Sequence, residues 1–404
     1  MQRKLWNKDY LLMLQGGAVS ALGDILHSVA IGYWVYEKTG SNALMGVMSS
    51  ISLFMTMLVM PFSGAVIDKC DRKAVIVGMD ALRGVIMLVV GALACMERLT
   101  VGVVIAAAFL ASGCSVFFEP AVSTLMIDLI PPGEMVRGQS VQEGVSTAVS
   151  MAGKALSGAL TAYFGVGTII LWNGVSYLLS AATELFVAVP KTVQQGNGIS
   201  LSDILRDLGR AGRSVWKDPF LRLFGISTVA INLLAAGPLM LKLSFTMEKG
   251  FSLEQYSLLM TAETAAMLLS AILLGAVKLR PEIRRWVMTA GFLSGIVFML
   301  AGYGAERFGV ACVFLVLGSF ANTMGNSIFN AALMLAVPEE NRGAILGLVS
   351  AVSMGGGALS TVVYGILCDC FPLVRVFLAG TLLALIPMLV LCFHKKTKQF
   401  MLAH

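Results

Sequence analysis

Apolar residues run in twelve long blocks, near 10–36, 43–67, 74–96, 100–127, 140–163, 166–189, 219–245, 255–277, 287–304, 309–336, 342–367 and 372–393. A helix needs about 20 mostly apolar residues to cross a bilayer. The pattern therefore predicts twelve transmembrane helices, six in each half. The first block is too long for the apolar core of a signal peptide and lacks a small-residue cleavage site, so it is read as the first span. One polar break is long, residues 190–218. Within it Arg206, Arg210, Arg213 and Lys217 recur at spacings of 4, 3 and 4, with Ile204, Leu208, Ala211 and Val215 on the opposite face. That spacing predicts an amphipathic helix with a basic side, suited to an anionic membrane surface. The expected organisation is a six-helix bundle over 1–189, a cytoplasmic amphipathic linker over 190–218 and a second six-helix bundle over 219–404.

The two halves are related. Residues 148–157 read AVSMAGKALS and residues 351–360 read AVSMGGGALS, identical at eight of ten positions with an offset of 203 in a chain of 404. Duplicated halves in a membrane protein predict a substrate site at the repeat interface. Inside the repeat, Lys154 stands where the second copy has Gly357. An ammonium near the bilayer centre costs about 2.5–3.5 kcal/mol on insertion scales unless it meets a carboxylate or water. Lys154 is thus expected to face a cavity or to form an ion pair.

Composition places these blocks in a membrane. Hydrophobic residues make up 57% and charged residues 13%, with a mean hydropathy of +0.83, whereas a soluble domain carries roughly 25% charge. With the N-terminus inside, 21 of the 29 Lys and Arg fall in cytoplasmic segments, against five outside (Lys38, Arg98, Lys249, Arg307 and Arg375). Both termini are therefore expected on the cytoplasmic side of a bacterial inner membrane. The net charge of +6 then anchors the inner face and does not point to nucleic acid. Seven scattered cysteines, including Cys368 and Cys370 around Asp369, show neither a disulfide framework nor zinc-ligand spacing. No G-x-x-x-x-G-K-[ST], H-E-x-x-H or G-x-S-x-G occurs, so nucleotide-hydrolysing, metalloprotease and lipase chemistry lack their motifs. An ion gradient is the expected energy source, with no cofactor.

Between the second and third blocks the chain reads Gly64-Ala-Val-Ile-Asp68-Lys69-Cys70-Asp71-Arg72-Lys73. This resembles the signature loop of the major facilitator superfamily: Gly, Asp four residues on, then [Gly/Asp]-Arg-[Arg/Lys]. With six plus six helices, the resemblance covers the whole chain. It implies an all-α membrane protein with twelve transmembrane helices in two pseudo-symmetric six-helix bundles. It also implies a cytoplasmic gate of Gly64, Asp68, Asp71, Arg72 and Lys73, with Arg83 close to the loop end and serving structure or gating. In the family, Asp68 would meet the N-terminus of the eleventh span, here near Asn341–Gly343, where the helix dipole favours an anion. The second half carries Gly275-Ala-Val-Lys278-Leu-Arg280 and then Arg284-Arg285, with no acid, so an asymmetric gate is expected. Tyr36-Glu37-Lys38-Thr39-Gly40-Ser41, Asp80-Ala-Leu-Arg83 and Phe117-Phe118-Glu119-Pro120-Ala121 are similar to the bacterial macrolide-efflux-type branch. That likeness implies export of amphiphilic compounds against a proton gradient.

Candidates for proton coupling are Asp24, His27, Glu119 and Lys154. Asp24 and His27 lie three apart and share a helix face. His27 is either a proton relay or an interhelical hydrogen-bonder. Candidate partners for Lys154 are Asp24, Glu119 and Glu263. In general, burial favours a neutral carboxyl and a nearby cation favours the carboxylate, so such a pair can exchange a proton as its surroundings change. The family's drug antiporters place Pro where Lys154 stands and often an Arg on the fourth helix, which is absent here. Asn322, Asn326 and Asn330 recur every four residues and form a polar stripe. With Asn232, Asp24, Glu119, Lys154 and Glu263 they are the candidate lining of a substrate cavity. The expected function is a monomeric, proton-coupled, alternating-access exporter of amphiphilic compounds. One alternative keeps the scaffold and carries a lipid or siderophore-like anion; another is a non-transporting receptor or assembly partner.

Overall fold

The computed structural model describes residues 5–67, 70–187, 201–277, 280–336 and 342–394, which are helical almost throughout. In order the helices are α1 (Lys8–Thr39), α2 (Asn42–Ile67), α3 (Arg72–Cys95), α4 (Val101–Leu129), α5 (Met135–Phe164), α6 (Val166–Glu184), α7 (Leu201–Lys217), α8 (Pro219–Met240), α9 (Lys242–Glu248), α10 (Leu253–Ala276), α11 (Pro281–Gly304), α12 (Phe308–Ala336), α13 (Arg342–Cys370) and α14 (Leu373–Phe393). Eleven of them are long and apolar enough to cross a membrane. The twelfth expected span is α5. It has 30 residues, but Gly, Ser and Thr together with Glu143 and Lys154 lower its hydropathy. The linker helix is α7, whose Arg206, Arg210, Arg213 and Lys217 are exposed. The side chains of Ile204, Leu208 and Ala211 lie outside the described residues. On α3, Leu82, Val85 and Val89 are about half exposed; a bilayer covers such an apolar row.

The block at 219–245 is interrupted, and the reason is local. Pro238 has no N–H to offer the Leu234 carbonyl. The Tyr364 hydroxyl, on α13, donates to that carbonyl at 2.7 Å, and Ser360 Oγ accepts from the Gly237 N–H at 2.9 Å. Backbone groups in hydrocarbon require such partners. The chain then re-enters helix as α9.

Packing divides the chain into two compact units, Met1–Lys38 with Phe54–Ile204, and Thr39–Leu53 with Leu205–His404. In the first, α3 and α6 pack closely through small residues: a Cβ on Gly91 would stand 2.8 Å from the Leu171 backbone nitrogen, and one on Gly174 2.8 Å from that of Leu88. The repeated decapeptide plays a matching part in each unit. A Cβ on Gly153 of α5 would come within 3.0 Å of Ile25 on α1, and one on Gly356 of α13 within 3.4 Å of the Val229 carbonyl on α8. Each copy thus seats its helix against the first span of its own half.

Candidate functional site

The first unit buries a charge network built from four helices. Asp24 on α1 accepts hydrogen bonds from the Tyr177 hydroxyl and, at 3.3 Å, from the Asn173 amide, both on α6. Gly23 makes room, since a side chain there would collide with Asn173 and Ser176. Arg83 on α3 lies over the Tyr177 ring at 4.5 Å and over the Phe118 ring of α4 at 4.1 Å, a favourable face for a cation. Its guanidinium pairs with Asp80 one turn earlier and reaches Ser115 Oγ at 3.4 Å. Asp80 is fully buried and Arg83 nearly so. Glu184, at the end of α6, is also buried and accepts from Ser180 Oγ at 3.2 Å. Three carboxylates surround a single guanidinium.

The remaining candidates of this unit are placed differently. His27 is half-buried one turn beyond Asp24, and no hydrogen bond joins the two among the described residues. Glu119 is exposed on α4. Lys154 is half-buried on α5, beside the Gly153–Ile25 contact, and its carbonyl accepts from Ser157 Oγ at 2.9 Å. Arg83, grouped with the loop charges on sequence grounds, lies about three turns into α3. Its pairing with Asp80 at i,i+3 draws it into the interior.

In the second unit, Lys242 opens α9 directly after the break and places Nζ 2.6 Å from both carboxylate oxygens of Glu263 on α10. Ser319 on α12 donates to the same carboxylate at 3.0 Å. Both charges are buried, so Glu263 is neutralised within its own unit. A cavity of about 150 Å³ lies among α8, α11, α12 and α14, lined by Thr228, Asn232, Asn326 and Asn330 with Phe292 and Phe329. Asn232 and Asn326 each donate to the carbonyl four residues back, Thr228 and Asn322, at 3.0 Å. Asn322 itself faces the α11 contact at Gly295. A second, open cavity of about 370 Å³ is lined by Asn232, Ser350, Ser353, Met354 and Gly357. The position equivalent to Lys154 therefore borders open space in the second unit.

The sequence profile of the Major Facilitator Superfamily matches residues 13–361. The chain belongs to this superfamily. Macrolide efflux protein A of Streptococcus pyogenes is 22% identical over 186 residues, 46% of this chain and 46% of that protein. The chain thus covers about half the length of that relative. Multidrug efflux pump Tap of Mycolicibacterium fortuitum is 24% identical over 400 residues, 94% of this chain and 93% of that protein. Among solved structures, a point mutant of the nucleoside transporter NupG gives a TM-score of 0.75 at 15% identity, over 95% of this chain and 100% of that one. A bacterial homologue of the iron transporter ferroportin, in an inward-facing state, gives 0.67 at 18% over 96% and 99%. These structures establish the fold alone.

In this superfamily member the signature loop has work to do inside its own bundle. Gly64 lies in the last turn of α2, while Asp68, Lys69, Lys278 and Asn341 lie outside the described residues. Asp71 caps α3, accepting from the N–H groups of Lys73 at 3.0 Å and Ala74 at 3.5 Å. Lys73 Nζ donates to the carbonyls of Leu185 at 2.6 Å and Val187 at 2.9 Å. There the negative end of the α6 dipole favours a cation. The second unit repeats the device: Arg285 Nε donates to the Cys392 carbonyl at the end of α14 at 2.8 Å. Arg72, between Asp71 and Lys73, is half-buried.

Two polar features went unread in the sequence. Asp369, noticed only as a neighbour of two cysteines, caps α2 within the second unit. Its carboxylate accepts from the Asn42 N–H at 2.7 Å, the Ala43 N–H at 3.1 Å and Ser41 Oγ at 2.8 Å. Gly365, one turn earlier, permits the approach, because a Cβ there would stand 2.8 Å from Ala43 Cα. The second is the polar face of α6. Asn173, Tyr177, Ser180 and Glu184 recur at spacings of 4, 3 and 4, the helical period that could have flagged them within an apolar block.

Proposed function

We propose that this protein is a secondary active transporter that exports amphiphilic or hydrophobic compounds in exchange for protons. One observation carries the reading: the first unit gathers the half-buried Asp24 and the buried Asp80 and Glu184 about Arg83. A low-dielectric interior disfavours that excess of negative charge, and proton binding relieves it. A site that binds either a proton or a cationic group suits exchange. The likeness to macrolide efflux protein A and to Tap supports outward transport of such compounds. On this reading Asp24, which is half-buried, meets the cargo, His27 stands beside it as a relay, and the Asn232–Asn326 cavity offers neutral polar contacts among aromatic rings. The protein sits in a bacterial inner membrane as a monomer with both termini in the cytoplasm.

The test is transport of a lipophilic cation such as tetraphenylphosphonium in proteoliposomes with an imposed pH gradient. The wild type is expected to accumulate it against its gradient. Asp24→Asn is expected to abolish uphill accumulation while binding partly survives. Transport indifferent to the pH gradient in the wild type would overturn proton coupling, and full proton-driven transport by Asp24→Asn would remove Asp24 from the mechanism.

A further inference from the structure

The three carboxylates of the first unit are unequally supplied with donors. Asp24 has two, Tyr177 and Asn173. Asp80 gives one oxygen to Arg83, but its Oδ2 is buried with no partner among the described residues. Glu184 takes the Ser180 hydroxyl on Oε1, and its Oε2 is likewise buried without a partner. Asp80 is 0% and Glu184 3% exposed, so both oxygens lie away from bulk solvent. On α3, Lys73 reaches the Leu185 carbonyl and Gly84 packs on Leu178 and Gly174, so these contacts bracket Asp80 opposite the Ser180–Glu184 turn of α6. As two carboxylates Asp80 and Glu184 would repel, and each would keep a buried acceptor unsatisfied.

We infer that Asp80 and Glu184 hold one proton between them, and that this pair is the resident proton site of the first unit. The acid O–H of one supplies the donor that the facing carboxylate lacks, and the remaining carboxylate charge faces Arg83. Binding that proton lowers the cluster's excess of negative charge by one; release returns the proton to water. The inference rests on the proton-exchange reading and deepens it. The other ionisable groups around the pair are Arg83 on α3, Asp24 on α1, Cys114 on α4 and Tyr177 on α6. Lys73 adds its ammonium at the Leu185 carbonyl, next to Glu184. Arg83 is the physical link to the cargo side, since it pairs with Asp80 and stacks on the ring whose hydroxyl binds Asp24. A change of charge at the pair is thereby felt at Asp24.

The experiment has two arms. Infrared spectroscopy of the purified full-length protein at neutral pH reads the carbonyl stretch of a protonated carboxyl. The band is expected in the wild type and in the control Glu306→Gln, an exposed site, and is expected to vanish in Glu184→Gln. Ser180→Ala, which keeps both acids, is expected to shift it. A band that survives Glu184→Gln, or stays unmoved in Ser180→Ala, overturns the inference. So does a band that vanishes only in Asp24→Asn, which would put the proton there. The second arm is pH-gradient-driven tetraphenylphosphonium transport, expected to fall to the level of empty liposomes in Glu184→Gln while gradient-free exchange persists. Coupled transport intact in that variant overturns the inference. A wild type that is not coupled at all overturns the exchange reading, and the infrared arm then decides the proton's location by itself.

Discussion

Lys242 and Glu263 show how a membrane interior tolerates charge. Both are buried; each is held by the other, and Glu263 also accepts from Ser319. Removing one partner leaves the other buried and uncompensated, which typically costs about 3–5 kcal/mol. Lys242→Ala is therefore expected to lower the melting temperature in detergent sharply. The double variant Lys242→Met with Glu263→Leu is expected to recover most of the loss, because apolar replacement of a buried pair is often neutral. Unchanged melting of the single variant would show that the pair does not hold the unit together. Arg83 is of another kind. Its single cation serves Asp80 by ion pairing and Tyr177 by stacking, while the nearby Lys73 ammonium is spent on the Leu185 and Val187 carbonyls, which leaves the carboxyl of Glu184 available to a proton.

At the scale of elements, helix ends decide much of what holds. Lys73 on the end of α6 and Arg285 on the end of α14 satisfy terminal carbonyls in each unit, and near the end of α8 Tyr364 supplies the donor that Pro238 lacks. Asp369 on the α2 N-terminus is the counterpart for orphan N–H groups. Loss of a cap costs about 0.5–2 kcal/mol. Asp369→Ala is expected to raise maleimide labelling of an Ala43→Cys site roughly fivefold, the equivalent of about 1 kcal/mol. Equal labelling with and without Asp369 would mean that glycine packing at Gly365 suffices to hold the contact.

At the scale of the whole molecule, duplication supplies a scaffold and divergence supplies chemistry. Gly153 and Gly356 do the same packing job, while the next residue is Lys154 in one half and Gly357, beside a cavity, in the other. If that difference shapes cargo selection, Lys154→Pro is expected to impair export of charged compounds more than neutral ones. Growth-inhibition panels in an efflux-deficient host would show it, and an unchanged panel would make Lys154 structural. The exchange cycle proposed here likewise belongs to the whole chain, since a proton gradient does work only through a protein that reaches both sides of the membrane.

The span count, the half-chain duplication, the basic linker helix and the loop signature were legible along the chain. Each depends on hydropathy, spacing or propensity within one segment, and a lipid solvent reads those properties segment by segment. Which polar residues meet was decided by the fold. Gly153, next to Lys154 in the chain, seats α5 on Ile25, while Asp24 found Tyr177 and Asn173 on α6. Glu263 found Lys242, and Glu184 emerged from a stripe whose partners stand on α3. A buried charge takes the partner that helix rotation and close glycine packing bring to it, and both are set by neighbouring helices that no single segment encodes.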